Sequence, residues 1–184
     1  MQVLRRVSVV PMCRNNISRR CVSSLSSNPH IKVFPDAAPG GGHILTYLET
    51  NPPVSRLAVG SSTQIPPTPR SFSENSEFMP ILNQVLQRHA AQDPDLQSQA
   101  KALAGTGIGG HVHLSDLRNP PDYGRIAFPE DILGSIEADA EGNIVGEFEP
   151  SGTYRIVTNE GILGLSDFLR TKLVEQLKKE ELSS

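Results

Sequence analysis

The hydrophobic pattern of this chain changes period part-way along. Between Ser76 and Gly105 the apolar residues recur at helical spacing. Phe78, Ile81, Leu82, Val85 and Leu86, with His89, share one face of a predicted first helix. Pro80 fits that helix only in its first turn, where its missing N–H has no intrahelical partner to lose. Asp93-Pro94-Asp95 predicts a fresh start: an Asp cap, Pro at the first helical position, and an acid at the positive end of the dipole. This second helix carries Leu96, Ala100 and Leu103 and stops at Gly105.

From His111 onward the period shortens towards two. His111 to Leu114 predicts a strand. Ile132 to Ala138 and Ile144 to Glu149 alternate, which puts Ile132, Ile136, Ile144 and Phe148 on one side, and Asp139 to Asn143 joins them as a hairpin. Pro150-Ser151-Gly152 predicts a turn before a strand over Thr153 to Thr158. Ser166 and Asp167 open a last helix with an apolar stripe of Leu169, Leu173, Val174 and Leu177, and Lys178 and Lys179 suit its negative end. The expected fold class is therefore α+β over residues 76–184: a helical pair, a small and mainly antiparallel sheet, and a closing C-terminal helix.

Ahead of that domain, residues 23–75 are punctuated by Pro29, Pro35, Pro39, Pro52, Pro53, Pro66, Pro67 and Pro69 and by Gly40 to Gly42. Such spacing prevents long helices. Only His43 to Leu48 and Val54 to Val59 are apolar enough for a short strand or helical turn, so the expectation is an extended arm lying on the domain or on a partner.

Charge changes the picture at the N-terminus. Arg5, Arg6, Arg14, Arg19, Arg20 and Lys32 precede the first acid, Asp36, and six serines lie among them. Val3, Leu4, Val7 and Val10 fall on one arc of a helical wheel, with Arg5 and Arg6 outside it. An Arg- and Ser-rich, acid-free start with no uninterrupted apolar core is the composition of a mitochondrial targeting segment rather than a secretory signal. Arg20-Cys21-Val22-Ser23 matches a processing site with arginine just before the cut, so residues 1–22 are expected to be removed and the product to lie in the matrix. Five of the 17 basic residues go with that segment, leaving 12 against 20 acids and a net charge of about −8. Such a balance argues against binding nucleic acid through phosphates. Both cysteines, Cys13 and Cys21, go as well, which excludes a cysteine nucleophile, a cysteine-ligated metal and any disulfide. No apolar stretch is long enough to span a bilayer, so a soluble product is expected.

Four constellations bear on chemistry. Gly105-Thr-Gly107-Ile-Gly109-Gly110 spells a dinucleotide fingerprint, but it follows a helix and precedes a strand, the reverse of what a pyrophosphate site needs. His111-Val-His113 would project two imidazoles from one face of a strand, as metal binding requires, with Asp116 or Asp122 as a third ligand; structural histidines are the simpler account. Glu130, Asp131, Glu137, Asp139, Glu141, Glu147 and Glu149 include no base among them, and the strand phase puts Glu137, Asp139, Glu147 and Glu149 outside, as a solvated face or a docking surface for a basic partner. Asn119-Pro-Pro-Asp122-Tyr123-Gly-Arg125 is a rigid loop in which Arg125 has Asp122 or Asp116 to pair with, serving as a structural lock or as a recognition element.

With Pro129-Glu-Asp-Ile132 and Ser151-Gly-Thr-Tyr-Arg-Ile-Val-Thr158, this loop resembles a group of fungal mitochondrial proteins without an assigned activity, over about Asn51 to Leu177. The resemblance implies the compartment and brings no catalytic residues with it.

The expected function is a non-catalytic accessory or assembly protein of a mitochondrial complex. Its expected partners are the import and processing machinery and another mitochondrial protein, and no cofactor is called for. A metal-dependent hydrolase built on His111, His113 and Asp116 is the alternative from a different class. A mitoribosome-associated protein is a third.

Overall fold

The computed structural model describes residues 23–36, 41–105, 107–122 and 125–183. The expected targeting segment, residues 1–22, and Tyr123 lie outside them. In chain order the described elements are β1 (Ser23–Ser24), β2 (Lys32–Pro35), β3 (His43–Thr46), β4 (Gly60–Ser62), β5 (Phe72–Glu74), α1 (Phe78–His89), α2 (Pro94–Ala104), β6 (Gly110–Ser115), β7 (Ile132–Ala138), β8 (Glu149–Pro150), β9 (Val157–Thr158), β10 (Gly161–Ile162) and α3 (Asp167–Leu182). The class is α+β. All the strand pairs are antiparallel, and α3 closes the fold after the sheets.

The expected extended arm is the main correction. Residues 23–75 form a five-stranded sheet in the order β1-β2-β3-β4-β5. Its strands are two to four residues long, so Pro35 falls at a strand end and Pro52, Pro53, Pro66, Pro67 and Pro69 fall in connections, where a missing N–H breaks no ladder. Leu25, Ile31, Val33, Leu45, Leu57 and Val59 join one core shared with the helices and the other sheets. Each such side chain is worth about 1.5–3 kcal/mol when fully buried, which ties this segment into the domain as a layer of its own. Phe72 lies across Gly60 on β4, where a Cβ would collide with its ring and with the Ser73 carbonyl.

The helices follow their local signals. Phe78, Leu82, Val85 and Leu86 are the buried face of α1, and Pro80 is its third residue. Asp93 caps α2 by accepting from Asp95 N and Leu96 N, both at 3.0 Å, with Pro94 at the first position. Ser166 caps α3 through Leu169 N at 3.2 Å, and Leu169, Leu173 and Leu177 face the core. Among the described residues no helix is long and apolar enough to cross a membrane.

The second sheet has the order β6-β7-β8. Asp139 to Asn143 makes the predicted turn, with Asp139 N donating to Asn143 O at 2.9 Å and Asp139 Oδ1 accepting from Asn143 N at 2.7 Å. Two predicted strands are shorter than expected: of Ile144 to Glu149 only the Ile144 bridge and Glu149 pair, and of Thr153 to Thr158 only β9. The register slips between Leu114 and Ser115, so that Leu133 is buried and Ile132 only half-buried. The strict alternation assumed for β7 fails at that bulge.

Candidate functional site

The chain leaves β6 directly into a buried polar network. Asp116 N donates to Asp131 O at 2.7 Å, and Leu117 N to Gly164 O at 2.9 Å, fixing the turn that sends Arg118 inward. The Arg118 side chain is 3% exposed. Its Nε donates to Asp131 Oδ1 at 2.7 Å, its Nη1 to Ile156 O and its Nη2 to Glu130 O, both at 2.8 Å. The guanidinium carbon lies 5.4 Å from the centre of the Tyr154 ring, in cation–π range. One planar fork thereby holds three segments together: the end of β6, the loop entering β7, and residues 154–156.

Asp116 is the second carboxylate on that guanidinium, at 3.6 Å from Nη1 and fully buried. Its Oδ1 accepts from Arg118 N at 2.9 Å and Gly164 N at 2.8 Å, and its Oδ2 from the Tyr154 hydroxyl at 2.7 Å. Burial pushes the Asp116 carboxyl above its ordinary range, against the lowering effects of Arg118 and these donors. Burial likewise pushes up the Tyr154 and Tyr47 hydroxyls, and the Asp116 charge adds to both shifts. Both tyrosines stay protonated donors, Tyr47 towards Leu163 O at 3.3 Å. A carboxylate so enclosed holds the fold together and is closed to a ligand from solvent.

Beside the network opens a groove of about 880 Å³. Pro69, Phe72 and Glu74 line it from around β5, Phe128 to Asp131 from the loop before β7, and Thr153, Arg155 and Val157 to Glu160 from around β9. Its loops are fastened by Thr153 Oγ1 to Pro129 O at 2.8 Å, Arg155 N to Glu130 O at 3.1 Å, and Ile156 N to Glu74 Oε1 at 3.4 Å. Phe128 is nevertheless 64% exposed, and Ile126 beside it 71%. Phe128 also lines a smaller hollow with Asn119 to Asp122 and Arg125 to Ala127. Aromatic rings beside exposed carboxylates and one arginine suit the binding of a polymer segment.

The structure separates the residues proposed from sequence. His111 and His113 do share the outer face of β6, with Val112 and Leu114 buried behind them. Glu137 lies across from His111, and Glu149 lies across from Ser135, whose Oγ is 2.8 Å from His113 Nδ1. Glu137, Glu147 and Glu149 are all exposed, so the histidine pair and part of the acidic face form one surface. Asp116 does not join it. Its side chain turns to the core, which removes the third ligand of the expected metal set. Among the described residues no group of three or more His, Cys, Asp or Glu is placed to hold a metal ion. Asp122 and Arg125 are exposed and linked through Arg125 N to Asp122 O at 3.0 Å; the arginine on Asp116 is Arg118, not Arg125.

Arg118 and Phe128 were missed from sequence, whereas Asp131 entered it only as one of the acids and Tyr154 and Arg155 only within the Ser151 to Thr158 motif. One signal was available: Arg118 and Arg125 are the only Lys or Arg residues between Lys101 and Arg155 in an acid-rich stretch, so each is a natural counter-ion. No protein-family model, curated protein or solved structure matches the chain.

Proposed function

We propose that the protein is a non-catalytic accessory or assembly factor of a mitochondrial complex, and that it docks a partner through the groove beside Phe128. The observation that carries this is the groove itself: an open site of about 880 Å³, with an exposed aromatic at its rim and its loops held by the Arg118 network. An exposed ring on a braced loop costs little to order on binding, the condition that favours an interaction anchor. The mitochondrial address rests on the acid-free, Arg-rich residues 1–35 and on the resemblance carried by residues 119–158. Of the residues in the metal-hydrolase alternative, Asp116 is buried in the Arg118 network, away from the outer face that carries His111 and His113.

The test is affinity capture of the tagged chain from gently solubilised mitochondria, followed by native sizing. A discrete complex that Phe128→Ala weakens is the expected result. Migration of the chain only as a free monomer would overturn the proposal.

A further inference from the structure

Resting on that docking role, we infer that the occupant of the groove is an extended segment of a partner protein that presents both basic and apolar side chains to it. The charge of the lining points to a basic ligand. Asp131 is neutralised by Arg118 at 2.7 Å, which leaves Glu74, Glu130 and Glu160 against the single base Arg155. Glu130 and Glu160 are exposed, and neither makes an ion pair among the described residues. The apolar part of the lining, with Phe72, Phe128 and Val157, asks for apolar side chains between the charges.

The strand geometry points to an extended ligand. β5 is the outer strand of its sheet. Asn75 N bonds Val59 O, Thr63 N bonds Ser71 O, and Ser61 faces Ser73, so the odd residues of β5 pair with β4 and the backbone of Phe72 and Glu74 turns to the other side. The Phe72 amide is taken up by Thr68 O at 3.0 Å. The Phe72 carbonyl and both backbone groups of Glu74 remain for an added strand, the usual way in which a sheet edge recruits an extended peptide. Phe72 and Glu74, two apart on β5, share one face, so the side chains that such a peptide turns towards the groove meet apolar lining and carboxylates together.

The probe is a short labelled peptide of lysine pairs and valine pairs with a central phenylalanine, so that each face of the extended chain carries both kinds, titrated into the full chain and read by fluorescence anisotropy. A glutamate-for-lysine counterpart and a proline-interrupted counterpart serve as comparisons. The lysine peptide is expected to bind, with affinity falling as salt rises, and both counterparts to bind at least about tenfold more weakly, a difference of about 1.4 kcal/mol. Glu130→Gln with Glu160→Gln, and separately Phe128→Ala, should each reduce lysine-peptide affinity by a similar factor. Glu137→Gln, on the outer face of β7, should leave it unchanged. All four positions are exposed, so folding is preserved, and thermal unfolding verifies this.

Equal binding of the lysine and glutamate peptides, an equal loss in Glu137→Gln, or no binding of any peptide overturns the inference. So does a rise of more than about tenfold when Arg5, Arg6, Arg14, Arg19 and Arg20 are changed to Gln, because the chain's own basic segment would then be the occupant. Loss of peptide binding with the native complex intact refutes this inference alone. Absence of any native complex refutes the docking role beneath it.

Discussion

The Tyr154 hydroxyl donates to Asp116 Oδ2 at 2.7 Å, joining two segments 38 residues apart. Arg118 is shared unequally between two buried carboxylates, at 2.7 Å from Asp131 and 3.6 Å from Asp116. Asp116 is therefore the under-compensated member and leans on Tyr154 and two backbone N–H groups. Tyr154→Phe removes the Oδ2 donor while keeping the ring under the guanidinium. The expected cost is about 1–3 kcal/mol of folding stability, read from urea unfolding, and Asp116→Asn in the same background should recover part of it by removing the buried charge.

The same carboxylate predicts a pH dependence. Its folded value is raised above the ordinary 3.8, so the folded state holds this proton better than the unfolded chain does. The stabilisation from this group is fully present below about pH 4 and is lost as pH rises through the folded value. Urea midpoints measured across that range should show the wild type losing stability relative to Asp116→Asn as pH increases. A difference that stays flat with pH would mean that Asp116 titrates as it does in the unfolded chain.

The helices were legible because their signals are local. Asp93-Pro94-Asp95 and Ser166-Asp167 announce caps within three residues, and Phe78 to Leu86 announces a face within three turns. Of the sheet of β1 to β5 only β3 was legible, within His43 to Leu48, because strands of two to four residues between prolines are too short to show a period of two. The site was hidden for another reason. Arg118 meets Asp131 and Ile156 across 13 and 38 residues, and nothing adjacent in sequence marks those partners. His111 and His113 were placed correctly on one face, but the bulge after Leu114 and the turn to Arg118 send Asp116 inward, where alternation alone would not put it.

That relocation bears on metal binding. With Asp116 committed to Tyr154, Arg118 and Gly164, the outer face retains His111, His113 and Glu137. His111→Ala with His113→Ala should leave the folding stability within about 0.5 kcal/mol of the wild type apart from the Ser135 contact, as surface changes do, and chelator treatment should not shift it. Metal analysis that finds stoichiometric ion lost in this double variant would contradict the placement.

The caps of α2 and α3 are one unit. Ser166 Oγ donates to Asp93 Oδ2 while accepting from Leu169 N, and Asp93 Oδ1 accepts from Asp95 N and Leu96 N. Asp93 is fully buried, so its loss leaves buried N–H groups without partners. Asp93→Ala should cost more than the roughly 0.5–2 kcal/mol typical of a single cap, and Ser166→Ala should fall within that span. Because the two side chains bond directly, the double variant should lose less than the sum of the singles, with a coupling of about 0.5–3 kcal/mol in denaturant unfolding. Strict additivity would show that the two caps act independently and that the Ser166 hydroxyl is held by α3 alone.

Glycine at position 134 is required by the ring opposite it. A Cβ there would collide with the Phe148 ring and the Glu149 carbonyl, whereas one at Gly152 meets nothing within 4 Å. Gly134→Ala should therefore cost about 1–3 kcal/mol as an overpacked site, and Gly152→Ala should stay within about 0.5 kcal/mol. Phe148→Leu should relieve part of the Gly134→Ala penalty, because the smaller side chain vacates the colliding ring edge at the expense of some burial. Thermal unfolding of the four variants decides it. If Gly134→Ala is as stable as the wild type, the ring has moved off the strand, and the pairing of β7 with β8 that exposes Glu149 does not depend on it.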